Sequence, residues 1–411
     1  MLACHFKSAR TLNRINSGPA APFLEGFVQT LEARGYANPT IRYHVGAVHH
    51  LCSWAAAKSR SLSTFDDESF GSFLHHLPSC HCVPAQRGTF IHHARFSVAL
   101  FGSYLREIGV LPARLKEVKE PILASFHHWM LNHRGVKEST LKIYDRVIPA
   151  LLETVAGDAA SIDARTLRSF FATHSKDLSQ GSASNVANAV RMFMRYLIAE
   201  GISAPGLDSA LPTAASWRGT SLPRSLPSSD VDRVIAACDP SRKEGLRDRA
   251  IILLLVRLGL RASDVCGLRL EDLDWSQASI RVSGKGRRDA QMPLTQEIGD
   301  SVLAYLQSGR PQTESASLFV RHTPPIRPFA SSSAISGIVA GAIQRAGIKS
   351  PCRGSHVLRH SAAVTMLRNG VSLQEIGTVL RHRSLHTTLH YAKVDTALLQ
   401  LVVHPWPEVA S

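Results

Sequence analysis

R-D-R-A-I-I-L-L-L-V-R-L-G-L-R, residues 247–261, decides how the second half of this 411-residue chain folds. Its run Ala250–Val256 is apolar at every position, so the stretch predicts a helix buried on all sides and ending at Gly259. Seven apolar residues fall far short of the roughly 20 needed to cross a bilayer, so the run belongs to a protein core and no membrane partner is expected. Downstream, S-I-R-V-S (279–283), a turn G-K-G-R-R-D (284–289) and A-Q-M-P-L (290–294) predict an antiparallel hairpin. Ser229 is expected to cap a helix starting at Asp230, and Ser355 and Ser372 to cap later ones.

Upstream the apolar spacing is helical and repeats itself. Ile41, His44, Val48 and Leu51 lie at i, i+3, i+7 and i+10, and Leu141, Tyr144, Ile148 and Leu151 reproduce that spacing 100 residues later. With the same offset Leu31, Arg34, Gly35, Thr40 and Ile41 fall on Leu131, Arg134, Gly135, Thr140 and Leu141, which reads as a helix end, a glycine stop and a threonine cap. F-G-S-Y-L-R-E-I-G-V (101–110) is echoed by F-M-R-Y-L-I-A-E-G-I (193–202) at an offset of 92. Two copies of a small helical module are expected, followed by a linker rich in proline (Pro205, Pro212, Pro223, Pro227). The expected domains are 1–115, 116–204, a linker 205–228, and 229–411.

Lys and Arg number 47 against 32 acids, a net charge of +15 that points to a polyanionic partner. Residues 1–224 carry 24 basic and 16 acidic residues and 225–411 carry 23 and 16, so both halves are suited to gripping a duplex from two sides. The N-terminal residues are basic without a following apolar run, and seven scattered cysteines fit reduced thiols, so a cytoplasmic protein is expected. Cys80-His81-Cys82, with His75 and His76 upstream, lacks a second well-placed pair and reads as a surface loop with incidental Cys and His; no metal and no cofactor is expected.

A set of positions suits phosphate chemistry: Arg261 after the buried helix, Lys285 at the hairpin tip, His356 and Arg359 in S-H-V-L-R-H-S, His382 in L-R-H-R-S, and Tyr391 in T-T-L-H-Y-A. His356 and Arg359 are three apart and share a helix face. Two arginines can fork onto the oxygens of one phosphate and offset charge that builds up when a nucleophile adds. Tyrosine is a weak nucleophile at neutral pH, and a ring of Arg, Lys and His is expected to favour its phenolate and supply a base. A hairpin lysine suits a general acid reaching an alkoxide leaving group.

Here the sequence resembles the tyrosine recombinase, or phage integrase, family, over about 225–395. G-L-R-A-S-D-V-C-G-L-R-L-E-D-L resembles that family's first arginine box, V-S-G-K-G-R-R-D-A-Q-M-P-L its hairpin, H-V-L-R-H-S its H-x-L-R-H box and L-R-H-R-S-L-H-T-T-L-H-Y its last box. The resemblance implies Arg261, Lys285, His356, Arg359 and His382 as catalytic residues and Tyr391 as nucleophile. Asp264, beside Arg261, reads as its ion-pair orienter, and His360, one turn from His356, as a packed, hydrogen-bonded support. It implies a mainly α fold with a small antiparallel β-sheet: a helical, core-binding (SAM-like) N-terminal half and a mixed α/β catalytic domain. It also implies double-stranded DNA recombination sites as partner, a homo-tetramer on DNA, alone or with related recombinases, and nucleoid association when bound. Integration or transposition of a mobile element is the expected role; the alternatives are chromosome dimer resolution, a type IB topoisomerase-like activity and an inactive DNA-binding protein. Two positions depart from the family pattern. Leu258 stands where threonine is common, and Arg381 replaces the usual glycine before His382, a candidate extra phosphate contact. Val394, Ala397, Leu398 and Leu401 predict an apolar stripe on a short C-terminal tail helix that needs a groove. Its own catalytic domain is one candidate; the resemblance favours insertion into a neighbouring protomer.

Overall fold

Serine and aspartate caps, with proline and glycine, set the boundaries of the N-terminal helices. The computed structural model describes residues 2–60, 65–80, 87–112, 121–136, 138–211, 223–283, 289–352, 354–382 and 384–394. Lys285, His81, Cys82 and the tail beyond Val394, with the stripe expected there, lie outside the described residues. The chain divides into two units, residues 113–218 and the combination of 1–112 with 219–411.

In residues 1–112, α1 (Leu2–His5) and α2 (Ala9–Asn16) precede four longer helices, α3 (Ala21–Ala33), α4 (Asn38–Ala57), α5 (Asp67–His76) and α6 (Arg87–Glu107). Thr40 does not cap α4. The helix starts two residues earlier because Pro39, in its first turn, is compatible with helical φ, and Ala37 takes the cap position. The unit 113–218 repeats the four-helix pattern with α7 (Pro121–Arg134), α8 (Glu138–Glu153), α9 (Ala164–Ser175) and α10 (Gln180–Ala199).

The repeat extends to the packing inside each module. α4 packs on α6, and α8 on α10. Ile41, His44, Val48 and Leu51 are buried, as are Leu141, Tyr144, Ile148 and Leu151. Phe27 meets Phe101 edge-on at 5.1 Å and Tyr104 at 5.5 Å; Phe126 meets Phe193 edge-on at 5.3 Å and Tyr196 at 5.5 Å. Quadrupolar rings favour such offset and edge-on contacts over stacking. Gly109 and Gly201, both at positive φ, follow the matching helices.

Beyond residue 223, Leu226 enters a new core and α11 (Ser228–Ala236) follows. It begins one residue before Ser229, because Pro227 already holds the extended entry conformation and its carbonyl accepts from Asp230 and Val231. α12 (Lys243–Arg257) is the centre of this core: Ala250 through Leu255 are fully excluded from solvent, as a helix apolar on every side requires. α13 (Ala262–Gly267) leads to a three-stranded antiparallel sheet, β1 (Leu273–Asp274), β2 (Ser279–Ser283) and β3 (Asp289–Pro293), in the order β1-β2-β3. The hairpin register runs from Ser279 opposite Pro293 to Ser283 opposite Asp289. β1, two residues long, offers no alternation to read in the sequence.

α14 (Gln296–Ala304), α15 (Ser332–Arg345) and α16 (His356–Arg368) surround α12. Ser355 sits at the cap position of α16 in a helical conformation and makes no capping bond; its hydroxyl pairs with that of Ser336 at 3.1 Å. Ser372 does cap α17 (Leu373–Val379), in a reciprocal box with Glu375. α18 (Leu385–Thr388) and a 3₁₀ turn, Leu389–Val394, deliver Tyr391. The fold is mainly α with a small antiparallel sheet. Among the described residues no helix is long and apolar enough to cross a membrane.

Candidate active site

Two helix C-termini meet where the motif residues gather. α12 is capped by Leu258, and Gly259 follows at φ +61°, a left-handed stop. A side chain at Gly259 would also run into the Leu380 side chain, so backbone conformation and close approach together favour glycine. α17 is capped by Leu380 with the paired bonds of a Schellman motif, His382 N–H to the Gly377 carbonyl and Arg381 N–H to the Thr378 carbonyl, both at 2.9 Å. The residue that must turn left-handed there is Arg381, at φ +53°. A left-handed stop of this kind favours glycine, so Arg381 carries backbone strain.

Arg359, on α16, closes both helix ends. Its Nη1 donates to the Gly259 carbonyl and its Nη2 to the Leu380 carbonyl. A buried cation thus faces the negative ends of two helix dipoles, the favourable sense. Burial, and then the neighbouring Arg261, pull its pKa down to about 10, so it remains charged at neutral pH. Arg261 is the N-cap residue of α13, and its Nη2 donates to the Arg381 carbonyl at 3.1 Å. The two guanidinium groups therefore hold successive carbonyls, Leu380 and Arg381, of one turn.

Asp264 is buried beneath them. It accepts from the Arg261 backbone N–H at 3.0 Å and lies 4.0 Å from the Arg261 guanidinium. Its closer partner is the Arg381 guanidinium. Arg381 also reaches the Val282 carbonyl on β2 at 3.4 Å. Its side chain is thus committed to the protein interior and is not presented as an extra phosphate contact; the ion pair offsets the strained backbone.

Tyr391 is buried, and its hydroxyl lies 2.9 Å from His360 Nδ1. His382 lies parallel to the tyrosine ring, at 6.3 Å between centroids, with Nδ1 2.8 Å from the Thr388 hydroxyl. Gly377 permits that arrangement, since a Cβ there would meet Thr388 Oγ1 at 2.9 Å. His356, exposed at the start of α16, lies one turn from His360 with ring centroids 6.4 Å apart. Burial, reinforced by neighbouring histidine and arginine charge, lowers both His360 and His382 to about 4, so both rings are neutral at pH 7.

Tyr391 contradicts one expectation. Burial raises its pKa and Arg359 only partly opposes this, so the basic surroundings do not produce a standing phenolate. The structure gathers Arg261, Asp264, His356, Arg359, His360, His382 and Tyr391 in one place; Lys285 falls outside the described residues, and only its flanking strands are seen. Sequence reading missed Thr388, Gly377 and the inward role of Arg381. A glycine five residues before His382 and a non-glycine at a helix stop were the available signals.

The profile of the Phage integrase family matches residues 224–397. A Sinorhizobium fredii protein named integrase/recombinase y4rA is 34% identical over 400 residues, which span 96% of this chain and 97% of that protein. The chain belongs to the phage integrase family. As a tyrosine recombinase it is an enzyme of DNA strand breakage and rejoining. It is also similar to the tyrosine recombinase XerD of Lacticaseibacillus casei, 28% identical across 69% of this chain and 97% of that protein. Among solved structures, XerH bound to difH substrate aligns with TM-score 0.52 and 16% identity over 82% of this chain and 95% of that one. A lambda integrase dimer on a core site aligns with TM-score 0.52 and 17% identity over 70% and 98%. At such identities these two structures establish a shared fold.

Proposed function

We propose that the chain is a site-specific recombinase that cuts and rejoins double-stranded DNA through a 3′-phosphotyrosyl intermediate. The observation that carries the reading is the buried Tyr391 hydroxyl held 2.9 Å from a neutral His360, beside the Arg359 cation. The tyrosine is protonated at rest, so attack on the scissile phosphate requires a base. His360 is the group in position: with its proton on Nε2, Nδ1 accepts from the phenol as the oxygen bonds to phosphorus. This gives His360 a more direct part than packed support.

Arg261 and Arg359 stabilise the phosphorane-like transition state. Both are anchored to carbonyls of the Leu380–Arg381 turn and need no reorganisation as charge develops. His356 and His382 hydrogen-bond phosphate oxygens, and Lys285 protonates the departing 5′ oxygen. Asp264 orients Arg261. Arg381, by joining Asp264 to β2, fixes the root of the hairpin that carries Lys285. The 5′ hydroxyl of another duplex then attacks the phosphotyrosine, releasing Tyr391, so the backbone is resealed without ATP or a redox cofactor.

The paired helical modules and the +15 charge support a clamp around DNA, with four protomers on two sites. The y4rA alignment spans nearly the whole chain, whereas the XerD alignment leaves 31% of it unmatched. That difference favours service to a mobile element over chromosome dimer resolution. A suicide substrate that loses the attacking 5′ hydroxyl should trap a covalent adduct, and transfer between two marked duplexes separates recombination from topoisomerase-like relaxation. No adduct on any cleavable site, with DNA binding retained, leaves only the binding-protein reading.

A further inference from the structure

The Cys and His stretch near residue 80, incidental by spacing, acquires a third partner from a distant part of the chain. His50 lies buried on α4; His76 ends α5; and the 3₁₀ turn Leu77–Ser79 curls the backbone back so that Cys80 comes round beside both. His50 Nε2 is 3.3 Å from Cys80 Sγ, across 30 residues of sequence. One ligating atom from each of His50, His76 and Cys80 lies within 4.8 Å of the other two. Around a tetrahedral zinc, with Zn–N about 2.0 Å and Zn–S about 2.3 Å, neighbouring donors lie roughly 3.3–3.6 Å apart. The His50–Cys80 separation already matches one edge of such a tetrahedron, and an inward movement of the side chains would bring the third donor to the same spacing.

The surroundings hold the ligands in place. His50 packs edge-on against Phe73 at 5.2 Å, and His76 stacks on Trp54 at 6.1 Å, so aromatic walls fix both imidazole planes. Two imidazoles and a thiol, with no carboxylate among them, are a borderline-to-soft donor set that suits zinc and not magnesium or calcium.

We propose that His50, His76 and Cys80 bind one zinc ion, with Cys80 as thiolate and the fourth position taken by water or a further side chain. On binding, the thiol proton is released to solvent and no redox step is involved. The ion would clip α4 to the end of α5, closing a loop of about 30 residues within the first helical module. The proposal is independent of the recombination chemistry, because none of the three residues belongs to the active-site set.

The test uses the full chain, purified without a polyhistidine tag, and metal analysis by mass spectrometry. About one zinc per chain is expected in the wild type and in Tyr391→Phe, with loss to background in Cys80→Ser and His76→Gln. Cobalt(II) added to the metal-stripped wild type should give a thiolate-to-cobalt charge-transfer band that Cys80→Ser lacks and that Cys52→Ser, altered at another buried thiol, retains. Folded wild type that shows neither zinc nor a cobalt–thiolate band would reduce the cluster to a thiol–imidazole hydrogen bond and overturn the proposal. Metal retained unchanged in a folded Cys80→Ser would do the same. Should a variant fail to fold, the wild-type cobalt spectrum decides alone.

Discussion

Histidines are paired inside the helical modules and inside the catalytic region, with nearly the same geometry and different consequences. In the first module His44 Nδ1 lies 2.8 Å from the Ser97 hydroxyl, and in the second His127 lies 3.0 Å from Asp145. In the catalytic region His360 lies 2.9 Å from the Tyr391 hydroxyl. Distance does not separate these sites. What differs is the partner and the charge around it: His44 is ringed by Tyr36, Tyr43 and Phe96, whereas Tyr391 has Arg359 as an electrostatic neighbour. Under the proposed mechanism that difference decides reactivity: the partner of His360 is the group that would bond to phosphorus, with a cation beside it.

The largest effect expected from that contrast comes from Tyr391→Phe, which removes one oxygen and keeps the ring. Covalent adduct on a suicide substrate should vanish while gel-shift affinity persists. An undiminished adduct would move the nucleophile elsewhere. Arg261→Ala and Arg359→Ala should each slow single-turnover cleavage by at least ~10²-fold, the usual loss for one preorganised donor. The two should part company in stability: Arg359 closes the ends of α12 and α17 from a buried position, whereas Arg261 is partly exposed. Equal melting temperatures for the two variants would show that the helix-end bonds contribute little.

His360→Asn tests the comparison itself. Loss of a general base is expected to slow cleavage by about 10²–10⁴-fold. His44→Asn should alter only the melting temperature, leaving the cleavage rate of bound DNA unchanged. A His360→Asn variant that cleaves at the wild-type rate would return His360 to the same supporting role as His44.

The proposed catalytic positions could be singled out because Arg261, Lys285, His356, Arg359, His382 and Tyr391 sit in four short boxes whose order and spacing can be read without any three-dimensional information; the structure gathers all of them but Lys285, which lies outside the described residues. The duplicated helices were legible for a related reason: offsets of 100 and 92 align residues that prove buried in both modules. What stayed hidden depends on contacts between distant segments. Nothing local to His360 announces a tyrosine 31 residues away, and nothing in the composition of the site reveals that burial outweighs Arg359 at Tyr391. Thr40 and Ser229 misled because a nearby proline can start a helix before the capping residue is reached.

A smaller effect follows from the neutral histidines. His360 and His382 titrate at about 4 in the folded chain and near 6.5 when unfolded. Between those values the unfolded chain binds more protons, so stability is fully present above pH 6.5 and falls as the pH drops towards 4. The melting temperature should decline over that window, and less steeply in His360→Asn; an equal decline would place the responsible groups elsewhere.

Within the candidate active site, the smallest expected change in rate comes from Arg381. Arg381→Gly relieves a left-handed backbone, worth about 1 kcal/mol, and removes the partner of the buried Asp264, typically costing about 3–5 kcal/mol. Asp264 keeps the Arg261 backbone N–H at 3.0 Å, so the cost should fall at the lower end and the net loss should be about 2 kcal/mol. Arg381→Ala loses the same ion pair without relieving the backbone and should be about 1 kcal/mol less stable than the glycine variant. Cleavage should slow by less than about tenfold, or about 1.4 kcal/mol, in both, because Arg261 and Arg359 grip the backbone carbonyls of residues 381 and 380, which no side-chain change removes. Denaturant unfolding of the three proteins measures the two terms separately. If Arg381→Gly is more stable than wild type, strain outweighs the ion pair and Arg381 serves the hairpin through Val282 alone; if its rate collapses with stability intact, the Asp264–Arg381 pair directly sets where Arg261 meets the phosphate.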